Sequence, residues 1–191
     1  MAKLGKNAVV HTASGKFGDL IVFRQLKGGR MIISHAPQTD PERKYSEKQM
    51  AVQKKFQEAV IYGKGILKNP ELKDMYDQKA DAGQSAYNVA FADFLNAPHI
   101  DEIDMSGYTG NAGDKIIIRA VDDFMVKEVG VVIYNPDGSV ADEGQAVPGE
   151  SNALDWEWTA TQVNSTVPGD KIVIRVSDIP GNLTEKEQVI E

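Results

Sequence analysis

Aspartate and glutamate are the side chains whose spacing comes nearest to a chemistry. Asp101, Glu102 and Asp104 crowd one short stretch, Asp122 and Asp123 follow an apolar run, and Asp178 follows a second one. Several carboxylate oxygens brought together are what a calcium ion takes as ligands. No Asp-x-Asx-x-Asx-Gly loop accompanies them, so the sequence leads to an expectation of no metal and no cofactor. His11, His35 and His99 are scattered, and none has a second donor three or four residues away on a helix, whereas a zinc site needs three or four converging ligands. Cysteine is absent, which excludes disulfides and thiolate metal sites. Neither a Gly-x-Gly-x-x-Gly nor a Walker loop occurs, and Gly63-Lys64-Gly65 falls inside a helical pattern. A polar cleft near Tyr87, His99 and Asp101 is the place an active site would occupy, but no catalytic motif marks it. The expectation is a chain that is not an enzyme.

The second chemistry is basic. Arg24, Lys27 and Arg30 cluster near the tip of an expected hairpin, with Lys16, Lys3 and Lys6 in the same segment. A basic ribbon of this kind tracks phosphates or enters a DNA groove. It also serves as a docking arm for an acidic protein surface, or guards a sheet edge. These three residues are the candidate partner-binding set. The charge balance agrees with such a role: residues 1–98 hold 15 basic and 10 acidic side chains, and residues 99–191 hold 6 and 18.

The elements that must position these groups follow from periodicity. Asp19 to Leu26 and Arg30 to His35 are apolar-rich runs joined at Lys27-Gly28-Gly29, a hairpin signal because the turn needs positive φ. Ser46 with Gln49 makes a capping box for a helix striped by Val52, Phe56, Ala59, Val60, Gly63 and Leu67. Asn69-Pro70 caps a second helix. Ser85 to Leu95 forms a third, the most apolar. His99 to Asp104 is expected as an acidic joint. Beyond it the decapeptide Gly113–Asp122 recurs as Gly169–Asp178, identical at seven of ten positions at an offset of 56 residues. Ile116, Ile118 and Ala120 share one face of the first copy, and Ile172, Ile174 and Val176 the matching face of the second. With little chain after the second copy, the two are expected as strands of one sandwich. Further strands are expected at 127–134 and 155–159, the latter with Trp156 and Trp158 on one face as core or inter-sheet packing, ahead of the alternative of a sugar-stacking platform.

Ala120-Val121-Asp122-Asp123, the run Val126–Ile133, Asp137-Gly138, Trp156-Glu157-Trp158-Thr159 and Ile172–Asp178 with Pro180-Gly181-Asn182 resemble bacterial and phage immunoglobulin-like domains over roughly residues 105–185. That resemblance implies a β-sandwich with the repeated strands in opposite sheets, and a role in presenting or binding surfaces. In the N-terminal half, Phe56, Ala59 and Tyr62 with Asn69–Tyr76, Lys79 and Ala80 resemble a fragment of an HMG box, with the helix order altered and its tryptophan absent.

The expected fold is therefore α+β in two domains: a β-hairpin plus three-helix module over 1–98, a joint over 99–106, and an immunoglobulin-like sandwich over 107–191. The expected function is a non-enzymatic structural or assembly protein working through protein–protein contacts, such as a phage or phage-like particle component. The alternative is a nucleic-acid-binding protein, with the hairpin on phosphates and the sandwich as a partner-binding tail. No run approaches the roughly 20 apolar residues of a membrane span, and no signal-like run follows Met1. The expected location is the cytoplasm or an assembled particle.

Overall fold

The computed structural model describes residues 2–4, 13–25, 31–38, 40, 42–150 and 152–190. Its elements are mixed α+β, with three helices and three four-stranded antiparallel sheets. The chain gathers into two compact units, residues 1–46 and 47–191.

The first unit is a sheet of β1 (Ala2–Leu4), β2 (Gly15–Phe17), β3 (Ile21–Gln25) and β4 (Met31–His35), ordered β1-β4-β3-β2. β3 and β4 pair antiparallel with Phe23 opposite Ile33, as the two apolar runs lead one to expect. The connecting tip, 26–30, lies outside the described residues. Met31 and Ala36 are the buried side chains among those described here, while Phe17 and Leu20 stand 72% and 69% exposed.

The second unit opens with α1 (Glu47–Ile66), α2 (Pro70–Lys79) and α3 (Ala86–Leu95). α1 starts directly after Ser46. Of its stripe Ala59 and Gly63 are buried, with Ile66 beside them, while Val52, Phe56 and Leu67 are exposed. Asn69 caps α2 by accepting the Leu72 N–H at 3.3 Å, with Pro70 at the first helical position, where its missing N–H costs nothing. Asp77, from α2, accepts the Ala86 N–H at 3.0 Å and so starts α3 in place of Ser85.

The sandwich follows: β5 (His99–Asp104), β6 (Lys115–Val121), β7 (Val126–Tyr134), β8 (Val140–Gln145), β9 (Val147–Pro148), β10 (Asp155–Thr159), β11 (Lys171–Asp178) and β12 (Leu183–Val189). The sheet orders are β5-β6-β10-β9 and β12-β11-β7-β8. The two repeat copies, β6 and β11, are thus interior strands of different sheets. Their glycines, Gly113 and Gly169, both sit at φ above +90°, which only glycine adopts without strain. Their inward rows, Ile116, Ile118 and Ala120 and Ile172, Ile174 and Val176, are all at most 2% exposed and share one core with Val129, Val131, Ile133 and Trp158. At about 25 cal/mol per Å² of apolar surface, this shared burial is the main force holding the sheets face to face.

The segment expected as a joint is largely a strand: His99–Asp104 forms β5, paired to β6 with a bulge between Ile100 and Glu102. A smaller core joins the helices to one end of the sandwich. Phe124, from the β6–β7 turn, and Ile179, just after β11, pack among Ile66, Tyr76, Ala86 and Ala90.

Candidate functional site

α3 carries Ala86, Ala90 and Asp93 on one face, at the i, i+4, i+7 spacing of a core stripe. The two alanines pack into the helical core and Asp93, 1% exposed, is buried on the same face. Asp93 Oδ2 accepts a hydrogen bond from the Tyr76 hydroxyl at 2.5 Å, and that hydroxyl lies 2.9 Å from the Tyr62 hydroxyl. The Tyr76 ring stacks on Phe124 with centroids 4.0 Å apart, which fixes its direction. Asp93 Oδ1 is buried and has no hydrogen-bond partner among the described residues.

Two further aspartates converge on this point from the ends of the repeat copies. Asp122, one residue past β6, accepts the N–H groups of Phe124 and Met125 on Oδ2 at 3.1 and 2.8 Å, and leaves its buried Oδ1 without a partner among the described residues. Asp178, the last residue of β11 and fully buried, accepts the N–H groups of Gly181 and Asn182 on Oδ1 at 2.8 and 2.6 Å, and the Asn182 amide on Oδ2 at 2.7 Å. One oxygen from each of Asp93, Asp122 and Asp178 lies within 4.8 Å of the other two. The Asn182 Nδ2 also reaches the main-chain oxygens of Asp93, Phe94 and Asn96 at 3.2, 3.3 and 3.0 Å. It thereby serves orphan carbonyls at the end of α3.

Asp93 shares its buried seam with two other carboxylates, which favours its own protonated form. Burial pushes the Asp93 carboxyl up to about 7, against the Tyr76 hydrogen bond, and the charges of Asp122 and Asp178 add to the rise. Burial likewise raises the Tyr76 hydroxyl, with its bond to Asp93 acting in the same direction. The arrangement offers hard oxygen donors and anchored carboxylates.

Of the acids singled out from sequence, Asp122 and Asp178 meet, although 56 residues separate them. The others go separate ways. Asp101 lies 3.2 Å from His99 Nε2, Glu102 lies 3.6 Å from Arg119, Asp104 accepts the Ser106 N–H, and Asp123 accepts the Asn96 amide. Asp93 was missed by the sequence reading. Its signal was present as a carboxylate in register with Ala86 and Ala90. Tyr87 packs against Gly63 of α1, where a Cβ would come within 2.9 Å of its ring. Arg24 is exposed on β3 opposite Ile32. Lys27 and Arg30 lie outside the described residues, as do Lys6 and His11. Lys16 pairs with Asp19 at 2.7 Å. Trp156 and Trp158 are both buried in the core.

No helix among the described residues is long and apolar enough to cross a membrane. No family model matches the chain, and no curated protein matches it. Among solved structures, the chain is similar to CopC from Methylosinus trichosporium OB3b, at 16% identity over 47% of this chain and 87% of that one, with a TM-score of 0.35.

Proposed function

We propose that this chain is a non-enzymatic structural or assembly protein that works through protein–protein contacts made by a basic N-terminal sheet and an immunoglobulin-like sandwich. The sheet orders support the sandwich reading. Lettered in chain order, with β8 as the additional strand, they correspond to A-B-E-D and G-F-C-C′, a grouping of the immunoglobulin type.

The observation that carries the assembly reading is opposite charge on the two compact units. Residues 1–46 hold 8 basic and 3 acidic side chains, and residues 47–191 hold 13 and 25. The basic unit of one copy is electrostatically complementary to the acidic unit of another. A head-to-tail contact of this kind propagates rather than closes unless a rotation brings it round. Phe17 and Leu20 on the basic unit, and Val52 and Phe56 on the acidic one, are exposed apolar side chains of the type that anchor such contacts. Arg24, Lys27 and Arg30 act as rim charges that steer encounter.

Sedimentation of the full chain at about 50 and about 500 mM salt tests this. The expected result is association at low salt that dissolves at high salt and in the triple variant Arg24→Glu, Lys27→Glu, Arg30→Glu. A monomer at both salts and at high protein concentration sinks the reading. Salt-steep binding to a DNA duplex, abolished by the same triple variant, would transfer the basic ribbon to the nucleic-acid alternative.

A further inference from the structure

We infer that Asp93, Asp122 and Asp178 form a binding site for one hard divalent cation at the seam between α3 and the ends of β6 and β11. The donor set is all oxygen, which selects hard cations over zinc or copper. One oxygen from each aspartate lies within 4.8 Å of the others, close enough for all three to reach one ion whose oxygen ligands stand about 2.3–2.6 Å away.

The unpartnered oxygens point to a ligand independently of the acidity. Asp93 is 1% exposed, one of its oxygens is taken by Tyr76, and the other has no partner among the described residues. The Asp122 Oδ1 is likewise buried and without a partner among the described residues. Buried carboxylate oxygens without a partner are rare in folded proteins. The rest of the site is already held in place. Asp122 is fixed by two N–H donors and Asp178 by two N–H groups and the Asn182 amide, so an ion meets carboxylates that need not reorganise. The surroundings favour a cation as well. Asp93 stands in the last turn of α3, where the helix dipole is negative, and that turn contains no basic side chain. A proton between Asp93 and Asp122 would neutralise one of three charges, while a divalent ion neutralises two. Water completes the coordination of an ion that takes six to eight oxygens.

The test uses the full chain, stripped with EDTA and titrated with CaCl2 by calorimetry, with melting followed in parallel. The expected result is one calcium per chain and a melting temperature raised by about 5–10 °C at a hundredfold excess over Kd. Asp93→Asn, close in shape and able to donate to Asp122, should remove the heat and the shift. Should that variant fail to fold, Asp122→Asn carries the same test. No heat and an unchanged melting temperature in the unsubstituted chain overturn the proposal in favour of a shared proton. A calcium shift that survives both substitutions also overturns it, because the ion then sits on other acids.

Discussion

β6 and β11 carry nearly the same ten residues into two different sheets. On their outer faces they behave alike. Lys115 and Arg119 reach Glu157 and Asp155 on β10, and Lys171 and Arg175 reach Glu187 and Glu185 on β12. In both cases the arginine faces its acid directly across the ladder and the lysine reaches diagonally, an ordinary use of cross-strand neighbours. The surroundings differ. Asp114 sits in a half-buried turn and accepts hydrogen bonds from the Thr109 N–H and hydroxyl and the Asn111 N–H, whereas its counterpart Asp170 is fully buried with the Asn164 amide on one oxygen. Val173 on β11 is 2% exposed, and the matching Ile117 on β6 is half-buried. The shared residues are those that make a strand: a glycine turn, an alternating row and charges for the neighbouring strand. Depth in the fold is decided by what lands on top of each copy.

The largest effects should come from the rows the copies share. Ile118→Ala and Ile174→Ala should each cost about 2–5 kcal/mol in urea unfolding, because each empties a site in the common core. On the rows that differ, Val173→Ala should cost more than Ile117→Ala, and the reverse order would break the comparison. Next come the closing aspartates. With EDTA present, Asp178→Ala should cost about 2–4 kcal/mol, since it strands the main-chain N–H groups of Gly181 and Asn182 against a fully buried site. Asp122→Ala strands two N–H groups in a less buried turn, and about 1–2 kcal/mol is expected. Equal losses would mean that burial is not what separates the two ends.

Acid titration probes the opening aspartates. The N–H groups of Asn111 and Thr109, with the Thr109 hydroxyl, hold the Asp114 carboxyl below the usual carboxylate range. A folded-state value below the unfolded one means that this contribution is complete at pH values above the ordinary carboxylate range. It is lost as pH falls through the lowered value. Asp114→Asn should therefore flatten the fall of melting temperature between about pH 4 and pH 2, and an unchanged slope would contradict it. The smallest effect belongs to the outer ion pairs. Arg119→Met and Arg175→Met should each shift the melting temperature by no more than about 3 °C, because both pairs are solvent-accessible, half-buried in the first copy and exposed in the second, and are screened by solvent and salt. A large loss in only one copy would show that its pair does more than decorate a face.

The same contrast explains what could be read from the sequence. β6 and β10 were legible because one face of each is buried and the alternation is plain, and β11 because it repeats β6. β12, Leu183–Val189, is a charged edge strand that is mostly exposed, so its side chains carry no apolar rhythm. β5 was obscured in the same way, with Asp101, Glu102 and Asp104 reading as a polar connection. The N-terminal hairpin was announced by Gly28-Gly29 between two apolar runs. At the carboxylate cluster the repeat made Asp122 and Asp178 equivalent in advance, but the approach of α3 to both strand ends is tertiary and leaves no local trace. Only the register of Asp93 with Ala86 and Ala90 hinted that this carboxylate was destined for the interior.

Phe124 and Ile179 lie in the turns that follow the two repeat strands, yet both are packed in the helical core. The helices are therefore finished by side chains from the sandwich, and a cut at residue 98 would leave Tyr76 without the ring it stacks on. As a cassette for transplantation, the portable piece is the whole of 47–191. A chimera that borrowed the helices alone would inherit an open apolar socket, and one that borrowed the sandwich alone would display an aromatic plug with nowhere to seat it.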